Sequence, residues 1–173
     1  MATERNGKEA NQIGHKLYII SMLVEDRFGV LQRIAGVFSR RGFNMDTITV
    51  GKTHTPGVSR MTITTTGNEK IVEQMVKQLS KLVETLKVSV VNETESVVRE
   101  IALVKVHSPD FVSRSEILNY AGIFRAKIVN VGKSSMIIEI TGDYEKIDAF
   151  LDLIKPFGIK ELVRTGLTAM MRE

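Results

Sequence analysis

The 173-residue sequence contains no cysteine, which excludes disulfides, thiolate catalysis and cysteine-ligated metal and fits a reducing compartment. Proline is scarce, at three residues, while 43% of the chain is apolar and 25% charged. That balance can bury a core and carries no compositional sign of disorder. No uninterrupted apolar stretch approaches the roughly 18–20 residues that span a bilayer, and the opening MATERNGKEANQ has no hydrophobic signal core. A cytoplasmic chain with no membrane partner is therefore expected. The match Asn92-Glu93-Thr94 is a glycosylation acceptor only in a secreted protein and is set aside.

Catalytic motifs are missing as well. There is no GxSxG and no GxGxxG, and Glu25 and Asp26 have no evident catalytic partner, so they read as strand-end caps. His15, His54 and His107 are spaced too far apart to form a metal pair. Gly132-Lys133-Ser134 looks like the end of a phosphate-binding loop, but that motif needs glycine five residues earlier, where Lys127 stands. No catalytic residue, no metal ligand and no cofactor on this chain are expected. The net charge of +4 is uneven: residues 16–91 hold 11 Lys/Arg against 6 Asp/Glu, and residues 92–173 hold 11 against 12. Arg33, Arg40 and Arg41 on one predicted helix are the candidates for nucleic acid. They lack an Arg-rich block, an aromatic stacking pair or a helix-turn-helix pattern, so a solvated or partner-facing helix surface is the reading.

What is present is a repeat. The length fits one domain of roughly 100–200 residues or two of about 80, and pattern decides. Residues 1–15 are polar and aperiodic, as a flexible arm would be. Leu17 to Val24 is a short branched apolar run, hence a buried strand. Leu31, Ile34, Ala35 and Phe38 stand at helical spacing, ended by Gly42. Strands follow at Asn44 to Val50 and Ser59 to Thr66, then an amphipathic helix marked by Val72, Met75, Val76, Leu79 and Val83, then a strand from Leu86 to Val91. The order is βαββαβ.

The second half repeats it. A strand runs from Glu100 to Val106, and a helix carries Ile117, Leu118, Ala121 and Phe124. Strands Lys127 to Val131 and Ser135 to Thr141 come next. The second helix holds Ile147, Phe150, Leu151 and Ile154, and a last strand spans Ile159 to Arg164. Residues echo too: Val50-Gly51-Lys52 recurs as Val131-Gly132-Lys133, and Ser59, Met61, Ile63, Thr66 and Gly67 recur as Ser134, Met136, Ile138, Thr141 and Gly142. A long hairpin, KTHTPGV, becomes a tight turn in the second copy. The expected architecture is α+β, two ferredoxin-like βαββαβ domains: arm 1–15, first domain 16–91, linker 92–98, second domain 99–173.

In Val24-Glu25-Asp26-Arg27-Phe28-Gly29-Val30-Leu31 a strand passes into a helix through glycine. Unpaired N–H groups at such a helix start, with the helix dipole behind them, suit a carboxylate. Gly29 equally suits a bare tight turn. The residues alone support both readings.

The segment VEDRFGVLQRIAGVFSRRGFNMDTITV, residues 24–50, resembles the ACT domain of acetolactate synthase small subunits, with its strand, E-N-x-x-G-x-L, helix, R-G-[FY]-N and second strand. The likeness continues through SRMTITTTG, REIALVKV and IFRAKIVNVG, and covers the chain from about Lys16 to Gly166. The resemblance implies a non-catalytic regulatory subunit whose ACT domains pair as a homodimer. An effector, usually valine, would sit between the glycine turn of one chain and the second strand of the other. Carried over by motif, the effector residues are Asp26, Gly29, Val30 and Leu31 on one side and Asn44 and Met45 on the other. Asp26 replaces the family's usual asparagine, a charge favourable to an ammonium and unfavourable to a carboxylate. The resemblance further implies a catalytic large subunit carrying thiamine diphosphate, magnesium and FAD, whose rate and feedback inhibition by branched-chain amino acids this chain would control.

With Val24 set against Val106, Phe111 falls where Gly29 stands, so the second copy is expected to lack the effector turn. A transcription regulator with a similar effector domain would need a DNA-reading module, for which residues 1–15 are too few. A stand-alone enzyme is the remaining alternative.

Overall fold

A computed structural model describes residues 16–172; the arm read at 1–15 lies outside them. The chain divides into two compact units that meet between Asn92 and Glu93. Each has the expected βαββαβ order.

In the first unit, β1 (Lys16–Glu25) leads to α1 (Val30–Arg41), then β2 (Thr47–Lys52), β3 (Val58–Gly67), α2 (Glu69–Leu79) and β4 (Thr85–Val91). The sheet is antiparallel in the order β2-β3-β1-β4. Its register sets apolar residues opposite one another on one face, with Ile20 opposite Ile63 and Met22 opposite Met61. That face is covered by Val30, Ile34, Val37 and Phe38 of α1 and by Val72, Met75 and Leu79 of α2. The buried stripe of α1 differs from the expected one: Leu31 and Ala35 face solvent, and Val30 and Val37 take their places. Ile34 and Phe38 belong to both stripes, so spacing could not separate them. Val83 lies beyond the end of α2 and is exposed, not part of its apolar face.

The second unit comprises β5 (Ser96–His107), α3 (Phe111–Ile123), β6 (Lys127–Val131), β7 (Ser135–Gly142), α4 (Tyr144–Ile154) and β8 (Ile159–Arg164), with a further strand β9 (Thr168–Met171). Four strands follow the order β6-β7-β5-β8. Ala102, Val104, Val106, Met136, Ile138 and Ile140 form one side of its core, and α3 and α4 supply Ile117, Ile147, Phe150, Leu151 and Ile154.

Ser96, Val97 and Val98, expected in a linker, are strand: they pair with Met171, Met170 and Ala169 of β9. Burial alternates along the whole of β5, but two of its inward positions are the polar Ser96 and Glu100. Glu100 is tolerated there because Arg164 donates to both its oxygens, at 2.9 and 2.7 Å, and the Gly166 N–H adds a third bond at 3.2 Å. That carboxylate, with a second partner in Asp148, raises the pKa of Arg164. Among the described residues no helix is long and apolar enough to cross a membrane.

Candidate functional site

The segment between β1 and α1 is held at both ends by the main chain. The Glu25 N–H donates to the Glu84 carbonyl at 2.9 Å, and the Asp26 N–H to the Gly57 carbonyl at 2.8 Å. The strand end is thus pinned to the loop before β4 on one side and to the β2–β3 hairpin on the other. Gly29 then turns the chain with φ 85° and ψ −11°, a left-handed conformation open to glycine and costly for most residues. Its carbonyl accepts the first helical bond, from the Arg33 N–H at 3.0 Å.

No side chain caps α1. The N–H groups of Val30, Leu31 and Gln32 therefore point out of the helix start without an intrahelical acceptor, at the positive end of the helix dipole. A Cβ built on Gly29 meets nothing within 4 Å, so the turn faces open space. An anion of carboxylate size fits both the electrostatics and the room.

The other three long helices begin differently. Asn68 caps α2 by accepting from the Ile71 N–H, and Asp143 caps α4 by accepting from the Lys146 N–H. At α3 the cap is Asp110, which accepts from the Ser113 N–H at 2.9 Å. That bond holds the Asp110 carboxyl below its ordinary pKa. In place of the expected match of Phe111 with Gly29, the residue that opens the helix in the second unit is Asp110, and Phe111 is its first helical residue. Nearby, Arg114 donates to the carbonyls of Ser108 at 3.1 Å, Gly132 at 2.8 Å and Lys133 at 2.5 Å. The matching corner of the second unit is thus closed by its own carboxylate and guanidinium.

The expected effector residues fall into two groups. Asp26, Gly29, Val30 and Leu31 surround the open helix start. Within that group the Val30 side chain is 4% exposed and belongs to the core, so Val30 can offer a ligand its N–H and not its side chain. Leu31 is half exposed. Asp26 is exposed, with the Lys52 ammonium 4.0 Å from its carboxylate. Asn44 and Met45 lie beyond the other end of α1, roughly 18 Å away for a 12-residue helix. Asn44 is exposed and its amide N–H donates to the Asp46 carboxylate, while the Thr65 hydroxyl donates to its carbonyl at 2.7 Å. Met45 is partly buried against the core. One chain does not bring the two groups together.

A residue that sequence reasoning passed over also belongs to this corner. Glu84, 4% exposed, accepts from Arg33 at 2.7 Å and from Arg27 at 3.4 Å. Its partners lie more than fifty residues away in sequence, beyond the reach of any periodicity. Arg33 is thereby committed to an ion pair, and Arg41 donates to Gln78 at 3.3 Å. The described residues contain no cluster of His, Asp and Glu able to hold a metal ion.

Comparison with known proteins covers both units. Residues 20–87 match the family model described as the AHAS small subunit-like ACT domain, and residues 99–173 match the model for the small subunit of acetolactate synthase. A probable acetolactate synthase small subunit of Methanothermobacter thermautotrophicus is 54% identical over 155 residues, 90% of this chain and 92% of that one. The acetolactate synthase small subunit of Aquifex aeolicus is 47% identical over 156 residues, 90% of this chain and 81% of its own length. Among solved structures, the acetolactate synthase small subunit from Thermotoga maritima is 42% identical, with a TM-score of 0.83 over 91% of this chain and 98% of that one.

Proposed function

Since the chain belongs to the family of acetolactate synthase small subunits, with an ACT domain as its first unit, we propose that it senses a branched-chain amino acid, valine foremost, on behalf of a catalytic large subunit. The observation that carries this reading is the uncapped start of α1 at Gly29, the one long helix among the described residues whose N-terminal turn lacks a side-chain cap. The effector's carboxylate would lie on the N–H groups of Val30, Leu31 and Gln32. Its ammonium would take acceptors from Asp26 and from the amide oxygen of Asn44.

Those two acceptors belong to different chains of a homodimer. β2 is an edge strand of its sheet, and an edge with unpaired N–H and C=O groups invites pairing with another strand. Two copies joined about a two-fold axis through antiparallel β2 strands would set the start of one β2 beside the end of the other. The start of β2 follows Asn44 and Met45, and its end, Lys52, stands next to Asp26. That pairing brings the separated halves of the site into register and supplies Met45 and Leu31 as apolar neighbours for a branched side chain.

The second unit, with its corner closed, would serve as a scaffold or partner-contact domain. Carbon–carbon bond formation would belong to the large subunit, where thiamine diphosphate, magnesium and FAD would be held. This chain would raise that subunit's rate and make it sensitive to end product, which needs a coupling of only about 1–3 kcal/mol between the two sites.

The test is calorimetric titration of the purified chain with valine, leucine and isoleucine, alongside an acetolactate assay with and without the large subunit. Saturable binding, no turnover by this chain alone, and activation with effector-dependent inhibition of the large subunit are expected. Turnover by the isolated chain, or no heat with any of the three amino acids, would overturn the reading.

A further inference from the structure

We infer that Glu84 is the positioning residue of the effector turn: its buried carboxylate holds Arg27, inside the turn, and Arg33, in the opening turns of α1, so that the N–H groups after Gly29 converge on one anion. The inference rests on the reading of Gly29 given above. A carboxylate as buried as Glu84 requires compensation. Its Oε1 receives both guanidinium groups, while its Oε2 is buried with no hydrogen-bond partner. A half-satisfied buried ion is a poor device for stability, since apolar packing serves as well or better. What the charge does that an apolar residue cannot is fix two guanidinium groups in one place.

The grip extends to the main chain. The Glu84 carbonyl accepts from the Glu25 N–H, so one residue engages the segment 25–33 at three points, and Arg27 is held a second time by Glu25 at 2.7 Å. Without Glu84, Arg27 would keep only Glu25, and the Arg33 guanidinium would be free to swing over the open helix start and act as a competing, mobile anion site. With it both stay beside the turn, their charges offset by Glu84 and Glu25, and the helix dipole is left as the field that draws the anion.

The second unit is an internal control. There the same main-chain bond runs from the His107 N–H to the carbonyl of Gly158, again 2.9 Å, and Gly158 has no side chain to offer. The open glycine turn and the carboxylate clamp occur together in the first unit. Both are absent from the second, where Asp110 and Arg114 close the corner.

The experiment titrates L-valine into full-length protein carrying Glu84→Gln, which keeps the side chain's volume and removes its charge, and Arg33→Met, whose side chain is largely exposed. Thermal unfolding is recorded on the same samples. Each variant is expected to bind valine about tenfold more weakly, and the double variant no more weakly than the worse single one, because both remove the same ion pair. A purely structural role would lower the melting temperature and leave the valine Kd unchanged in folded protein; that result overturns the proposal, as does an additive double variant. If Glu84→Gln does not fold, the pair Arg27→Met with Arg33→Met decides, and unchanged affinity there overturns it too. Should the unaltered chain bind no branched-chain amino acid, the effector reading itself falls, and the role of Glu84 with it.

Discussion

The ammonium of Lys52 lies 4.0 Å from the carboxylate of Asp26, across the gap between the end of β2 and the end of β1. Lys52 thereby offsets the charge of Asp26 beside the start of α1. Both groups are well exposed, so the pair is worth only about 0.2–1 kcal/mol. Lys52→Gln should nonetheless leave Asp26 free to repel an incoming carboxylate and raise the valine Kd by up to about fivefold. Adding Asp26→Asn should restore it. Titrations of both variants at low and high salt check this, since the effect must shrink as salt screens the charges.

Gly29→Asp should separate sensing from assembly. Nothing lies within 4 Å of an added Cβ, and the remaining cost is the left-handed φ of 85°, about 1–2 kcal/mol for a residue with a side chain. The fold should survive. The new carboxylate would stand at the helix start and exclude the effector's own. A folded variant that activates the large subunit yet resists valine inhibition is the expected outcome; retained inhibition would make Gly29 a turn residue only.

The two units should divide the labour when cut apart. A fragment ending at Asn92 contains the whole first sheet and its core, and should dimerise and bind valine. A fragment from Glu93 onward carries its own core but a helix start already capped by Asp110, and should fold without binding. Equal valine affinity in the second fragment would refute the placement of the site.

Stability of the second unit should hang on Glu100. Glu100→Ala removes a buried acceptor of three hydrogen bonds, and loss of one partner of such a pair costs about 3 kcal/mol. Arg164 keeps Asp148 at 2.6 Å, which holds the loss at the lower end of its range. Denaturant unfolding measures it, and valine affinity should not move. A change under about 1 kcal/mol would show that the carboxylate is readily replaced there.

The sequence was most legible where branched residues alternate or recur with no polar interruption. Both βαββαβ orders, the repeat, and the bounds of β6 and β8 could be read from it. It was least legible where polar residues point inward. Ser96 and Glu100 broke the period of β5, so its first residues read as a linker, and the four residues of β9 were too short to stand out without them. On α1, Ile34 and Phe38 fitted two stripes equally, and spacing did not show that the Val30 side chain fills the core, which leaves its N–H to face the helix start. The glycine turn could be found from Gly29, but Glu84 could not: its meaning lies in two arginines more than fifty residues away, and only the folded sheet brings them together.

The sharpest test asks whether one site is built by two chains. Gly29→Asp and Asn44→Ala chains should each fail to bind valine as pure homodimers. Mixed, unfolded and refolded together, they form hybrids in which one site carries both substitutions and the other carries neither. Titration of the mixture with valine should therefore recover binding at about one quarter of all sites, the share expected from random pairing about a two-fold axis. No recovery, with hybrids demonstrated in the sample, would place both residues' contributions within a single chain and contradict a shared effector site.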